Sequence, residues 1–164
     1  MNPLLVLAMV AITLALVFYT VGVFGERRAG TLTKRHVVLF WLGFLFDTTG
    51  TTIMTVLAGE MGGTGSPLHA VSGTIAIALM LFHAVWATVV LVRDNPRQKE
   101  NFHRLSIGVW LFWLIPYCIG MLLGIPVFHL TDAGASVAGI VIVAAVAGVL
   151  CISTNVSKRR KQAR

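Results

Sequence analysis

The hydrophobic positions of this chain fall into five continuous runs separated by short polar linkers. A spanning helix requires about 20 mostly apolar residues, and each run meets that length. A transmembrane barrel instead requires many alternating segments of about ten residues, so the continuous runs predict helices. The predicted spans cover residues 3–24, 37–58, 68–92, 106–127 and 133–154.

The lengths of the linkers predict how these helices are arranged. Connections this short make consecutive helices antiparallel neighbours in one bundle. The sequence therefore predicts an all-α integral membrane protein, a five-transmembrane-helix antiparallel bundle in which residues 1–164 form a single membrane domain. The four linkers cover residues 25–35, 59–67, 93–105 and 128–132.

Composition excludes several classes of protein. Hydrophobic residues make up 57% of the chain and charged residues 12%, and the mean hydropathy is +0.86. A soluble domain carries about 25% charged residues. The chain is therefore neither a water-soluble globular protein nor a disordered segment, a disulfide scaffold or a nucleic-acid-binding module.

The distribution of charge predicts the orientation of the chain. All 13 Lys and Arg residues lie in the first linker, the third linker and the C-terminal tail, whereas the second and fourth linkers have none. The positive-inside rule then predicts an external N-terminus and a cytoplasmic C-terminus. The same rule explains the net charge of +7 without a nucleic-acid partner, because basic residues at the ends of spans also interact with anionic lipid headgroups.

Small and aromatic residues predict how the helices contact one another and the bilayer. Small residues permit close helix packing in lipid, and the fifth span contains a series of them: Gly134, Ala135, Ala138, Gly139, Ala144 and Gly148. Trp41, Trp110 and Trp113 lie within about two turns of the predicted cytoplasmic ends of their helices, which is typical of interfacial anchors.

Asp47 is an acid in the middle of a predicted span. It lies eleven residues into the second run, roughly 16 Å deep by the helical rise. A central Asp costs about 2.5–3.5 kcal/mol on insertion scales, so it is expected to face the interior of the bundle. One interpretation is a structural Asp whose carboxyl caps a broken helix or holds neighbouring hydroxyls, and the other is a functional acid. The predicted stripe consists of His36, Phe40, Gly43, Asp47, Thr51 and Met54.

Two histidines of the third run are expected on one helical face. His69 and His83 are fourteen residues apart, which places them about 21 Å apart along the axis. This spacing resembles that of b-type membrane cytochromes, where two histidines on one helix bind two haems, although this chain has one such helix and those proteins usually have two. The resemblance implies haem b with its iron bound by His69 and His83, and with His129 and His36 as second ligands.

Two segments resemble a known family. Residues 43–54, which include Asp47, and residues 74–87, which include His83, are similar to those of the HsmA-like family of small bacterial membrane proteins. That resemblance implies a related fold and a multi-pass protein of the bacterial inner (cytoplasmic) membrane, without implying an activity. It favours testing Asp47 and His83 together.

Three hypotheses for function remain open from the sequence. The first is intramembrane electron transfer through haem b with a membrane redox partner. The second is a proton- or ion-coupled carrier in which Asp47 and His83 form the titrating pair; its five helices lack an inverted repeat, so it would act as a homo-oligomer. The third is an accessory or assembly subunit without chemistry of its own. The motifs of soluble enzymes are absent from the sequence, so the most that is expected of its chemistry is electron transfer.

Overall fold

The computed structural model describes residues 2–60, 66–124 and 129–162. Within this part the chain forms five α-helices, all long and apolar enough to cross a membrane, which confirms the number predicted from the hydrophobic runs. The end of the fourth predicted span and most of the second linker lie outside the described residues. The helices are α1 Pro3–Ala29, α2 Lys34–Glu60, α3 Pro67–Arg93, α4 Pro96–Gly124 and α5 Asp132–Gln162.

Local hydrogen bonds define both ends of α1. The side chain of Asn2 accepts the backbone N–H of Leu4 at 3.0 Å, and Pro3 occupies the first turn, where its missing N–H costs nothing. At the other end, Gly30 adopts a left-handed conformation with φ 69° and donates its N–H to the carbonyl of Glu26 at 3.0 Å. This is the usual C-terminal cap of a helix, and it extends α1 five residues beyond the predicted span.

The predicted linker over residues 93–105 is wrong for most of its length, because α4 already begins at Pro96. The side chain of Asn95 accepts the backbone N–H groups of Arg97 at 3.0 Å and Gln98 at 3.4 Å. That cap starts a helix in polar sequence. Hydropathy identifies the part of a helix that suits lipid, and α4 extends beyond that part by ten residues.

A charged pair reinforces the turn between α3 and α4. Asp94 has a left-handed backbone with φ 52°, and its carboxylate accepts a hydrogen bond from Lys99 within an ion pair. The hydrogen bond first, and the positive charge second, lower the pKa of the Asp94 carboxyl. The pair is solvent-accessible, so its contribution to stability is small.

The chain divides into two compact units, residues 1–113 and 114–164, where the sequence predicts a single membrane domain. The first unit contains α1, α2, α3 and the first part of α4. The second contains the remainder of α4 and α5.

Glycines bring α1 and α2 close together in the first unit. A Cβ atom at Gly22 would lie 2.6 Å from Cε1 of Phe40, and one at Gly50 would lie 2.5 Å from Cγ1 of Ile12. A residue near the end of α1 thus contacts one near the start of α2, and a residue in the first half of α1 contacts one in the second half of α2. The two helices therefore form a helical hairpin. Without side chains at these positions the backbones approach closely, as small residues permit in membrane helices.

The second unit has its own small core. Ile119, Leu122 and Ala135 form a buried cluster, and a Cβ at Gly139 would lie 2.8 Å from Cγ1 of Ile119. These contacts confirm Ala135 and Gly139 as part of a small-residue contact face. The prediction is wrong for the later members of that series, since Ala144 and Gly148 are exposed.

Candidate functional site

The carboxyl of Asp47 is buried between helices of the first unit. Asp47 is 4% exposed and lies on the buried face of α2. His36, Phe40 and Gly43 lie on the same face, as predicted. Its Oδ2 atom accepts a hydrogen bond from Nε1 of Trp113 at 2.8 Å and a longer one from the hydroxyl of Tyr19 at 3.4 Å. One oxygen therefore connects α2 to α1 and to α4.

The two donors also pack against each other. The rings of Tyr19 and Trp113 meet edge to face, with centroids 5.1 Å apart and an angle of 76° between their planes. Both side chains are almost fully buried. Gly43 lies one turn before Asp47, and a Cβ atom there would overlap the ring of Tyr19. The absence of a side chain at Gly43 is what allows the phenol to reach Asp47.

The threonines around Asp47 do not bind it. Each of the four hydroxyls bonds to a carbonyl of its own helix four residues earlier, at 2.7–2.9 Å; they belong to Thr48, Thr49, Thr52 and Thr55. Helix α2 is also continuous through this region. The interpretation that Asp47 caps a broken helix is therefore wrong. The interpretation that its carboxyl holds a neighbouring hydroxyl applies to Tyr19 and not to these four threonines.

A second polar cluster surrounds His83. This residue is 1% exposed on α3, and its Nε2 atom lies 3.1 Å from Oγ of the fully buried Ser106 on α4. Phe40 meets the imidazole at a centroid distance of 4.4 Å, and Phe102 stacks on it at 5.1 Å. The Nδ1 atom has no hydrogen-bond partner among the described residues.

Asp47 and His83 belong to different clusters. Phe40, which touches His83, precedes Asp47 by seven residues on the same face of α2, about 10 Å along the axis. No hydrogen bond joins Asp47 to His83, although both lie in the part of the chain that the structure describes. Both side chains are buried in the first unit, and no residue forms a hydrogen bond with both of them.

The other predicted haem ligands are dispersed. His69 is half-buried in the first turn of α3, and His129 is exposed, in the second unit, with a left-handed φ of 43°. His36 is buried at the start of α2, where its Nδ1 atom accepts the backbone N–H of Thr33 at 3.2 Å. That imidazole caps the beginning of its own helix.

The arrangement of His83 does not favour haem. An axial ligand needs a free ring nitrogen directed at the iron. Nε2 of His83 is engaged by Ser106, and Nδ1, although it has no hydrogen-bond partner among the described residues, is buried in an imidazole that two phenyl rings cover. Among the described residues, no group of three His, Cys, Asp or Glu side chains is placed to hold a metal ion. Haem b at His69 and His83 stays a prediction, and binding would require this cluster to open.

Comparisons with known proteins add no assignment. No protein-family model, curated protein or solved structure matches the chain. The resemblance to the HsmA-like family therefore stays a prediction, and the site has to be interpreted from its own residues.

The sequence did not identify the donors of the site. The sequence predicts Trp110 and Trp113 as anchors at the membrane interface, and this is wrong because both side chains are buried within the protein. The indole of Trp110 donates a hydrogen bond to the hydroxyl of Thr20 at 3.2 Å. Tyr19 left a detectable signal. It is the one aromatic side chain in a stripe of small residues on α1 that includes Ala8, Ala11, Ala15 and Gly22.

Proposed function

We propose that the chain is a multi-pass protein of the bacterial cytoplasmic membrane, with five antiparallel spans, an external N-terminus and a cytoplasmic C-terminus. The five long apolar helices and the location of all 13 basic residues in alternate linkers and the tail support this orientation. A reporter fused after Arg164 should be cytoplasmic, and one inserted between Gly62 and Gly63 should be external. A C-terminal reporter on the outside would contradict the proposal.

Within this membrane domain, the proposed function is a proton-coupled carrier in which Asp47 binds the proton. The observation that carries the proposal is a carboxyl only 4% exposed whose hydrogen-bond donors, Trp113 and Tyr19, are both neutral. Burying an unpaired charge is costly. Ionisable side chains inside a membrane domain therefore mark ion and proton pathways more often than structural positions.

The donors explain how protonation changes the site. An ionised carboxylate accepts both hydrogen bonds, whereas a protonated carboxyl must also donate one. Tyr19 can accept that bond through its hydroxyl oxygen, but the indole of Trp113 is only a donor. Protonation removes the negative charge of the carboxylate and therefore weakens the hydrogen bonds that it accepts from Trp113 on α4 and Tyr19 on α1. This is how proton binding at Asp47 alters the contacts among three helices.

A carrier of this size acts as a homo-oligomer in our proposal. Common carrier folds place their binding site between paired repeats, and a five-helix chain has no such pair in its sequence. A second copy of the chain supplies the missing half. Crosslinking in native membranes should then give a defined dimer or small oligomer.

Charge movement after a pH step tests the role of Asp47 without knowledge of the substrate. Proteoliposomes adsorbed on a solid-supported membrane report proton binding as a transient current. The wild-type protein should give a transient that the Asp47→Asn variant lacks. Glu60→Gln is the matched control, because Glu60 is an exposed acid at the end of the same helix.

The outcome separates a proton-binding acid from a structural one. Loss of the transient in Asp47→Asn, with retention in Glu60→Gln and an unchanged melting temperature, supports the proposal. An equal transient in wild type and Asp47→Asn, or none in either, contradicts it.

A further inference from the structure

A cavity opens at the basic end of the first unit, where α1 is followed by α2. Its volume is about 490 Å³, and five residues line it: Ala29, Thr33, Lys34, Arg35 and His36. Lys34 and Arg35 are exposed, whereas His36 is buried. The cavity is open to the surface, and the buried His36 forms part of its wall.

Glu26 lies one turn before Ala29, a residue that lines the cavity, and its side chain is buried. It is 1% exposed, and its Oε2 atom has no hydrogen-bond partner among the described residues. Such an atom is rare, because a buried oxygen without a donor loses its hydration with no compensation. At the preceding position of α1, a Cβ at Gly25 would lie 3.4 Å from Nε2 of His36, which lines the cavity.

Glu26 shares a buried face of α1 with the residues that lead to Asp47. Gly22 and Tyr19, which precede Glu26 in the chain, lie on the same face. Gly22 packs against Phe40, which contacts His83, and Tyr19 donates to Asp47. Seven residues separate Glu26 from Tyr19, about 10 Å along the axis. From the cavity inward, the order is Glu26, then the layer of His83, then Asp47.

We propose that Glu26 is a second proton-binding carboxyl and that, with His83, it carries protons between the basic-side cavity and Asp47. This inference rests on the proposed function of Asp47. Two buried polar atoms without a partner, Oε2 of Glu26 and Nδ1 of His83, lie between the cavity and that acid. Both are groups able to hold one exchangeable proton.

The proton balance along this route is simple. Glu26 releases its proton and becomes a carboxylate, and His83 takes a proton on Nδ1 and becomes an imidazolium. The imidazolium then releases a proton to the carboxylate of Asp47 and returns to the neutral ring. Water at the cavity reprotonates Glu26. The three side chains do not bond to one another, so transfer along this route requires water between them.

Several titratable and charged groups surround this route. On α2 they are His36 at the wall of the cavity and the exposed Lys34 and Arg35. The titratable group on α3 is His83. The one named on α4 is the half-buried His103, which follows Phe102 in the chain; the ring of Phe102 stacks on His83. On α1 itself, Arg27 and Arg28 occupy the last turn. Any pH dependence of the route includes these groups, so the test isolates the Glu26 carboxyl by substitution.

The test uses Trp113 as an internal reporter of Asp47. Protein in lipid nanodiscs is given a pH jump in a stopped-flow instrument, and tryptophan fluorescence follows protonation of the acid to which the indole donates. Trp113→Phe and Asp47→Asn should each abolish the signal, which assigns it. Glu26→Gln should keep the amplitude and slow the change roughly 10²-fold, the low end of what a positioned proton-transfer group contributes. Glu26→Asp, which keeps a carboxyl, should fall between that variant and wild type.

The outcomes distinguish the inference from the function beneath it. A wild-type rate in Glu26→Gln, with the signal still dependent on Asp47, overturns the role of Glu26 and leaves the proposed function intact. Absence of any signal dependent on Asp47 in the wild type overturns both. If Glu26→Gln does not fold, Glu26→Met, which also lacks an exchangeable proton, decides the question, because a wild-type rate there is equally contrary to the inference. Glu60→Gln should match the wild type throughout.

Discussion

Trp113 donates its indole N–H to Oδ2 of Asp47 at 2.8 Å, although 66 positions separate the two residues in the chain. The bond joins α4 to α2 inside the first unit. It also places the largest side chain of the site against the one acid in the middle of a span. Most of the testable consequences of the structure concern Asp47 or the residues that contact it.

A double-mutant cycle should detect coupling between these two residues. Trp113→Phe removes the donor and Asp47→Ala removes the acceptor. Each change should lower the free energy of unfolding in detergent by about 1–2 kcal/mol, the upper range for hydrogen bonds in membrane bundles. Together they should cost less than the sum by at least about 0.5 kcal/mol. Trp41→Phe is the control, because that indole is bonded to Thr88 at 3.0 Å, and it should be additive with Asp47→Ala.

Asp47 and His83 should behave as independent sites in stability. Since their recorded partners are separate, Asp47→Asn and His83→Gln should add within about 0.5 kcal/mol, as residues 7–10 Å or more apart generally do. The sequence alone suggested a coupled pair, for which strong non-additivity was expected. A coupling well above that limit in thermal unfolding would restore the pair and contradict the present assignment of partners.

Gly43→Ala should disturb the site through Tyr19. The new Cβ overlaps the Tyr19 ring, so the phenol must move away from Asp47. Overpacking of this kind costs about 1–3 kcal/mol, which a lowered melting temperature would reveal. Gly108→Ala is the matched control inside another helix, since nothing lies within 4 Å of a Cβ there. It should be neutral or stabilising, and equal losses in both variants would mean that the Tyr19 contact is not the cause.

An optical spectrum tests the haem hypothesis. Because Nε2 of His83 is occupied by Ser106, protein purified after expression with haem available should show no Soret band that depends on His83. The decisive comparison uses His83→Gln and Asp47→Asn side by side. A Soret band lost in the first variant and retained in the second would establish haem ligation and overturn the packing described for His83.

The number of helices and their buried faces follow from the sequence. Hydrophobic length identified five spans because a helix that crosses a bilayer must carry about 20 apolar residues. The helical period placed six residues on one face of α2. His36, Phe40, Gly43 and Asp47 are buried, and Thr51 and Met54 are half-buried. On α3, of the two histidines predicted on one face, His83 is buried and His69 is half-buried. These are properties of a single helix, so local sequence suffices to predict them.

The ends of the helices and the partners of the buried polar groups required the tertiary structure. Helix α4 continues into polar sequence because Asn95 caps it, and hydropathy does not report a cap. Asp47 meets Tyr19 and Trp113, 28 and 66 positions away, and not the threonines beside it. Which distant donor reaches an acid depends on the rotation and separation of whole helices. Here Gly22, Gly43 and Gly50 allow that close approach, and a pattern along one helix contains no information about how it meets another.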